Sequence, residues 1–264
     1  MAMAEHTDAT RVEIMECTGN SEISAGQKTI TRSCVGIATQ RGDSEGNVRI
    51  RQRRRRSVSA SNRRTRLWKS DAEYVADQNE NSSWSSVDTA WGDAASLKFV
   101  KFGDWLEKNG VLCHDDKVAD FGGNDGRSAF CFYQKHKIKP LVVDCEPLRL
   151  DHAMKYYRMS TYQAFIEDMK ELATKSIDWA FCSHTLEHTR DTEKAMREIA
   201  RVVKRGCYFV VPLENLAHAR GNHAHAICFT QARDWKKLLE KNGWTVKHGE
   251  KVATHEAQFY AEPK

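Results

Sequence analysis

Apolar positions divide the chain into two regimes that meet near residue 94. From Met1 to about Arg66, Ser, Thr, Gly and Arg dominate and large apolar residues are sparse. Such a segment buries too little surface to offset its ordering entropy, so disorder is expected for it. Over 67–93, Trp68, Tyr74, Trp84 and Trp91 stand in a Ser/Asn/Asp-rich setting, which predicts a partly ordered segment that either packs on the core or covers a site. A helical spacing follows over 94–109, with Leu97, Val100, Phe102, Trp105 and Leu106 apolar and Gly110 placed as a stop.

From Lys117 onward short apolar runs alternate with longer amphipathic ones, the pattern of an α/β sheet with covering helices. Strands are predicted at 117–121, 140–144, 162–166, 177–183, 206–211, 244–253 and 256–261. Helices fit 127–137, 147–157, 191–204 and 231–242, with a short one at 169–175. Gly206 is placed to stop the 191–204 helix, Thr230 to cap the last helix and Gly243 to end it. The organisation expected is a disordered arm (1–66), a helical lead-in or lid (67–110) and an α/β domain (111–264).

Charge is uneven. Residues 1–70 hold 14 Lys/Arg against 7 Asp/Glu, and the remainder 27 against 29, so the basicity belongs to the arm. Arg49 to Arg66 contains nine arginines interleaved with serines and no aromatic. It reads as a solvated tail, a nuclear import signal or a weak nucleic-acid contact; without a stacking platform, any such contact is phosphate-directed and salt-sensitive. Eight cysteines are scattered with no C-x-x-C pair, which predicts reduced, mostly buried thiols and a cytoplasmic protein, or a nuclear one if the arm is an import signal. No run of residues is apolar and long enough for a membrane span, and no membrane partner is expected.

The chemistry centres on Val118-Ala119-Asp120-Phe121-Gly122-Gly123-Asn124-Asp125-Gly126, a strand breaking into a glycine-rich turn ahead of a helix. Gly122 and Gly126 permit a sharp turn and close approach to a ligand, and the helix offers N–H groups and a positive dipole end. A dinucleotide loop starting at Gly122 would need glycine at 124 and Gly or Ala at 127, where Asn124 and Arg127 stand. The segment instead resembles the first motif of class I S-adenosylmethionine-dependent methyltransferases, an acid followed by x-G-x-G-x-G, with Asn124 in place of the middle glycine.

Three later segments extend the resemblance. Leu141 to Pro147 resembles the family's V-D-x-s-P, with Glu146 in place of the small residue. Phe165 to Met169 places an acid after the third strand. Ser176 to His188 and Asp191 to Lys204 closely resemble the F-D-x-V…L-E-H…D-x-x-x-x-L-x-E-x-x-R-V-L-K-P-G-G block of the small-molecule subgroup, with Arg205 for the proline and Cys207 for the second glycine. The resemblance covers about residues 94–261. It implies a Rossmann-like methyltransferase fold, a seven-stranded, mostly parallel sheet with helices on both faces and the last strand antiparallel, and S-adenosyl-L-methionine as cofactor. It implies that Asp120, Gly122, Gly123, Asn124 and Gly126 lie against the methionine portion. Asp144 then holds the ribose hydroxyls, with Glu146 as fallback, while Asp168 and Met169 hold the adenine and Ser183 adjoins the cofactor.

The acceptor is expected at the carboxyl ends of the fourth and fifth strands. Ser183, His184, Glu187 and His188 sit in the first of these segments. Glu214, Asn215, His218, Arg220, Asn222, His223 and His225 sit in the second. His184 is the candidate general base, alongside a purely structural reading, with Ser183 and His223 as further catalytic candidates. No carboxylate-rich or cysteine-paired pattern completes a metal site around His218, His223 and His225, and no metal ligand is assigned. The expected activity is methyl transfer to an O, N or C atom of a small molecule. The alternatives are an RNA or protein substrate reached through the arm, and a cofactor-binding interaction protein without catalysis.

Overall fold

The computed structural model describes residues 89–214, 225–253 and 255–264, together with residues 70, 72, 75 and 76. The arginine-rich arm, most of 67–88 and the stretch carrying Asn215, His218, Arg220, Asn222 and His223 lie outside the described residues.

Helix α1 spans Thr89–Lys108, starting five residues before the sequence prediction, and Gly110 beyond its end takes φ +64°. The other elements are strand β1 (Val118–Phe121), α2 (Arg127–His136), β2 (Leu141–Asp144), α3 (Pro147–Tyr157), β3 (Ser160–Gln163), β4 (Ile177–Ser183), α4 (Thr192–Val202), β5 (Val203–Pro212), α5 (Ala232–Lys241), β6 (Trp244–Ala253) and β7 (Glu256–Pro263). A single 3₁₀ turn, Leu186–His188, follows β4.

Among the described residues the strands form one seven-stranded sheet ordered β3-β2-β1-β4-β5-β7-β6. β1 through β5 pair in parallel, and β7 runs antiparallel between β5 and β6. The central strands are buried on both faces and read as continuous apolar runs, as in Trp179-Ala180-Phe181-Cys182. One face buries Phe99, Phe102 and Leu106 of α1 with Phe132 of α2 and Leu150 of α3. The other buries Ala195, Met196 and Ile199 of α4 with Trp235 and Leu239 of α5. The chain winds outward from β1 to β3 and then returns to start β4 on the other side of β1. That reversal opens a crevice at the carboxyl ends of β1 and β4.

Four local expectations are corrected. β3 occupies 160–163 rather than 162–166: Phe165 and Ile166 leave the sheet, and the polar Ser160 to Gln163 suffices for an edge strand paired with β2 alone. Residues 169–175 are turns, not a helix, because Arg201 reaches across from α4 to donate to the Met169 and Leu172 carbonyls and holds the chain open. α4 ends at Val202 and β5 starts at once; Gly206 lies inside β5, where a Cβ would stand 2.6 Å from the Tyr260 ring. The residue capping α5 is Gln231, not Thr230, and its side chain makes no capping hydrogen bond.

Candidate active site

The crevice is built first by β1. Asp120, next to the last residue of the strand, is 3% exposed, and its Oδ2 receives no hydrogen bond. Burial, reinforced by the charges of Asp144 and Asp125, pushes its carboxyl up to about 8.

The turn that follows is pinned to β2, with the N–H groups of Gly122 and Gly123 both donating to the Val143 carbonyl at 2.8 and 3.1 Å. Gly122, Asn124 and Gly126 take φ of +71°, +52° and +79°. A Cβ on Gly122 would run into Thr185, and one on Gly126 would stand 2.7 Å from Ala153, so both glycines are required twice over. Asn124 has the same backbone requirement without the crowding. Asparagine is among the L-residues that enter the left-handed region most readily, which explains the departure from glycine there.

Asp144 ends β2 and accepts from the Asn124 N–H (Oδ2, 3.0 Å) and the Glu146 N–H (Oδ1, 3.0 Å). Burial raises its carboxyl, against the opposing pull of Arg149 and of those two N–H groups. Each oxygen keeps a lone pair for a ligand. Glu146 caps α3 by accepting from the Arg149 N–H at 3.1 Å.

The adenine expectations divide. Asp168 is exposed in the turn after β3, whereas Met169 is completely buried in the core against α4, so its side chain forms no wall of an open pocket. Neighbouring Glu167 is spent on Arg190, whose N–H it accepts at 2.9 Å.

At the tip of β4 the Ser183 Oγ is buried and makes no hydrogen bond. His184 takes φ +50° and lies between two carboxylates, with Nδ1 3.3 Å from Glu187 Oε1 and Nε2 3.2 Å from Glu256 Oε2. Burial pulls the imidazole down, but the interactions with Glu187 and Glu256 outweigh it and raise His184 to about 9. Burial likewise favours protonating Glu256, yet its bonds to His184, Lys98 and Gln258 hold it at about 2. The general-base expectation for His184 does not fit this seat, since an imidazolium with both nitrogens on carboxylates has no lone pair to take a proton. Glu256 comes from β7, 72 residues away, and Lys98 from α1. No spacing in the sequence pointed to either.

The matched family model is described as a methyltransferase domain and covers residues 119–211. That stretch runs from the strand bearing Asp120 to the end of β5. The chain carries a methyltransferase domain. The methyltransferase shares its fold with the solved structure of the [4+2]-cyclase SpnF at 13% identity and TM-score 0.53, covering 62% of this chain and 81% of that one. It also resembles magnesium protoporphyrin IX methyltransferase from Synechocystis PCC 6803, solved with bound SAH (14%, TM-score 0.51, 64% and 83%). A third similar structure is a possible histamine N-methyltransferase from Thermotoga maritima (18%, TM-score 0.50, 72% and 98%). No curated protein matches the methyltransferase in sequence. Among the described residues no helix is long and apolar enough to cross a membrane.

Two departures from the family pattern have a structural reason. Arg205, in place of the proline, sets its guanidinium 4.5 Å from the centroid of the Trp179 ring and pairs with Asp116 at 3.3 Å. Cys207, in place of the glycine, is fully buried in β5.

Proposed function

We propose that this methyltransferase modifies an oxygen, nitrogen or carbon of a small molecule bound beyond the carboxyl ends of β4 and β5. The observation that carries the reading is the tethering of the chain leading into α5 to that corner. The Ala226 N–H donates to the Glu187 carbonyl at 2.6 Å and the Glu214 N–H to the Phe229 carbonyl at 3.0 Å, which suits an enclosed acceptor better than a polymer track.

The cofactor's fit rests on the unpartnered Asp120 Oδ2 and on the cradle of left-handed residues at 122, 124 and 126. In this reading Asp120 orients the cofactor's ammonium group and the Gly122 to Gly126 backbone follows its methionine portion. Asp144 accepts from the ribose hydroxyls, while Glu146 caps α3 through Oε2. Asp168 faces the adenine amine. When bound, S-adenosylmethionine supplies an activated methyl group, so the chain's task is alignment and dehydration more than acid–base chemistry. Ser183 Oγ orients the acceptor, and the His184 cation holds the tip of β4 against β7.

Asp144→Ala is expected to weaken S-adenosylmethionine binding by about 1–3 kcal/mol in calorimetry, the scale of lost hydrogen bonds to a charged group. Unchanged affinity there, with loss of binding in Glu146→Ala, overturns the ribose assignment. Removing residues 1–66 is expected to leave S-adenosylhomocysteine release with small-molecule nucleophiles unchanged. Turnover confined to RNA or protein, and lost with the arm, would establish the alternative substrate class.

A further inference from the structure

Three separate segments bring metal-ligating side chains to one corner of the molecule: Glu187 and His188 from the 3₁₀ turn after β4, Glu214 just past β5, and His225 and Cys228 ahead of α5. Donor atoms of Glu187, His188 and His225 all lie within 4.8 Å of one another, and so do those of Glu214, His225 and Cys228. His225 belongs to both sets. Its ring stands edge-on to that of His188 with centroids 4.6 Å apart. His225 Nδ1 is 2.8 Å from Glu214 Oε1, and Cys228 Sγ donates to Glu214 Oε2 at 3.0 Å.

The Glu187 side chain is 1% exposed, and neither of its carboxylate oxygens accepts a hydrogen bond of good geometry, His184 Nδ1 standing 3.3 Å from Oε1. Buried polar atoms are almost always satisfied, and buried charges are paired or coordinate metals. A buried carboxylate whose donor atom lies within 4.8 Å of those of two imidazoles is a ligand set that a divalent transition metal completes.

We propose that Glu187, His188 and His225 bind a first-row transition-metal dication of the Zn²⁺ type, with Glu214 holding His225 in place from the outer layer. Two imidazoles and one carboxylate select such an ion over Mg²⁺ or Ca²⁺, which take oxygen ligands. A carboxylate behind a ligating histidine fixes its ring orientation and raises its basicity, which is the position of Glu214. The ion would clip the chain after β5 to the end of β4, beside Ser183. The inference does not depend on the identity of the methyl acceptor or on cofactor binding.

The test uses the full-length protein and Zn²⁺ alone. Calorimetry is expected to show one saturable site that weakens at least 100-fold in His188→Ala and in His225→Ala, and about 10-fold or more in Glu214→Gln. S-adenosylmethionine binding serves as the check that each variant folds. No saturable site, or a site untouched by both histidine substitutions, would overturn the proposal and leave an adventitious surface ion or a plain hydrogen-bonded cluster. Should the variants fail to fold, Co²⁺ added to the wild-type protein decides the matter. A visible spectrum of a low-coordinate protein site is expected, and one no different from the aqueous ion refutes it.

Discussion

Replacing Asp120 with asparagine is expected to stabilise the ligand-free protein at neutral pH while weakening its hold on S-adenosylmethionine. The buried carboxyl titrates at about 8 against an ordinary 3.8, so between those values the folded state binds the proton that the unfolded state has released. Stability contributed by the protonated form is therefore complete below about pH 4 and is lost progressively as pH rises through about 8. At 1.36 kcal/mol per unit the ceiling is about 6 kcal/mol, which relaxation and water penetration reduce. Asparagine remains neutral throughout, at the cost of an amide no better satisfied than the acid. A net gain of about 1–3 kcal/mol at pH 8 is expected in urea denaturation, with a flatter pH profile between 4 and 8. Calorimetry on the same variant should show weaker cofactor binding. A variant less stable than wild type at pH 8, binding the cofactor equally well, would show that Asp120 is an ordinary structural acid.

The second large effect is expected at Glu256→Gln. Glu256 is 6% exposed and joins His184, just past β4, to Lys98 of α1, the Lys98 Nζ lying 2.5 Å from its Oε2. Removing Glu256 leaves Lys98 without this carboxylate and His184 with Glu187 alone; breaking a fully buried pair typically costs about 3–5 kcal/mol, a ceiling that the partial exposure of Lys98 and His184 lowers. The pH dependence identifies the cause. The folded-state value of His184 is raised from 6.5 to about 9, so its contribution is whole below about pH 6.5 and disappears as pH rises through about 9. In the variant one carboxylate is gone and the imidazole titrates lower, so that loss should be smaller and should be complete at lower pH. Denaturation midpoints from pH 5 to 10, with the His184 ring followed by NMR, test both parts. A His184 that still titrates near 9 without Glu256 would mean that Glu187 alone holds the proton.

The two variants change the profile differently. Asp120→Asn changes it between about pH 4 and 8, and Glu256→Gln changes it between about 6.5 and 9 through His184 and between about 2 and 4.5 through the lost carboxylate itself. Combined, their effects should be close to additive unless the loop at Gly122 transmits strain to β4 through Thr185, whose Oγ1 donates to the Phe121 carbonyl at 3.2 Å.

Much of the fold was legible in the sequence because burial on both faces of a parallel sheet writes itself as local pattern. The runs of β1, β2 and β4, the amphipathic spacing of α4 and α5, and the glycine turn after β1 each depend on neighbours a few residues away. Errors fell where tertiary contacts override local preference. Arg201 unwinds what reads as a helix over 169–175, and the closeness of Tyr260 makes Gly206 a packing residue rather than a helix stop.

The sequence by itself determined the order of the strands and main helices, the glycine turn after β1 and the acids at the ends of the first two strands, since each follows from spacing along one strand–turn–helix unit. Only the tertiary structure decided the state of His184 and the company of His225. Glu187 stands three residues from His184, but Glu256, itself held by Lys98, and the Glu187 and His188 that meet His225 lie tens of residues from the histidines they flank. A titration state is set by the charges within a few ångströms, and the chain brings those together only when the sheet closes.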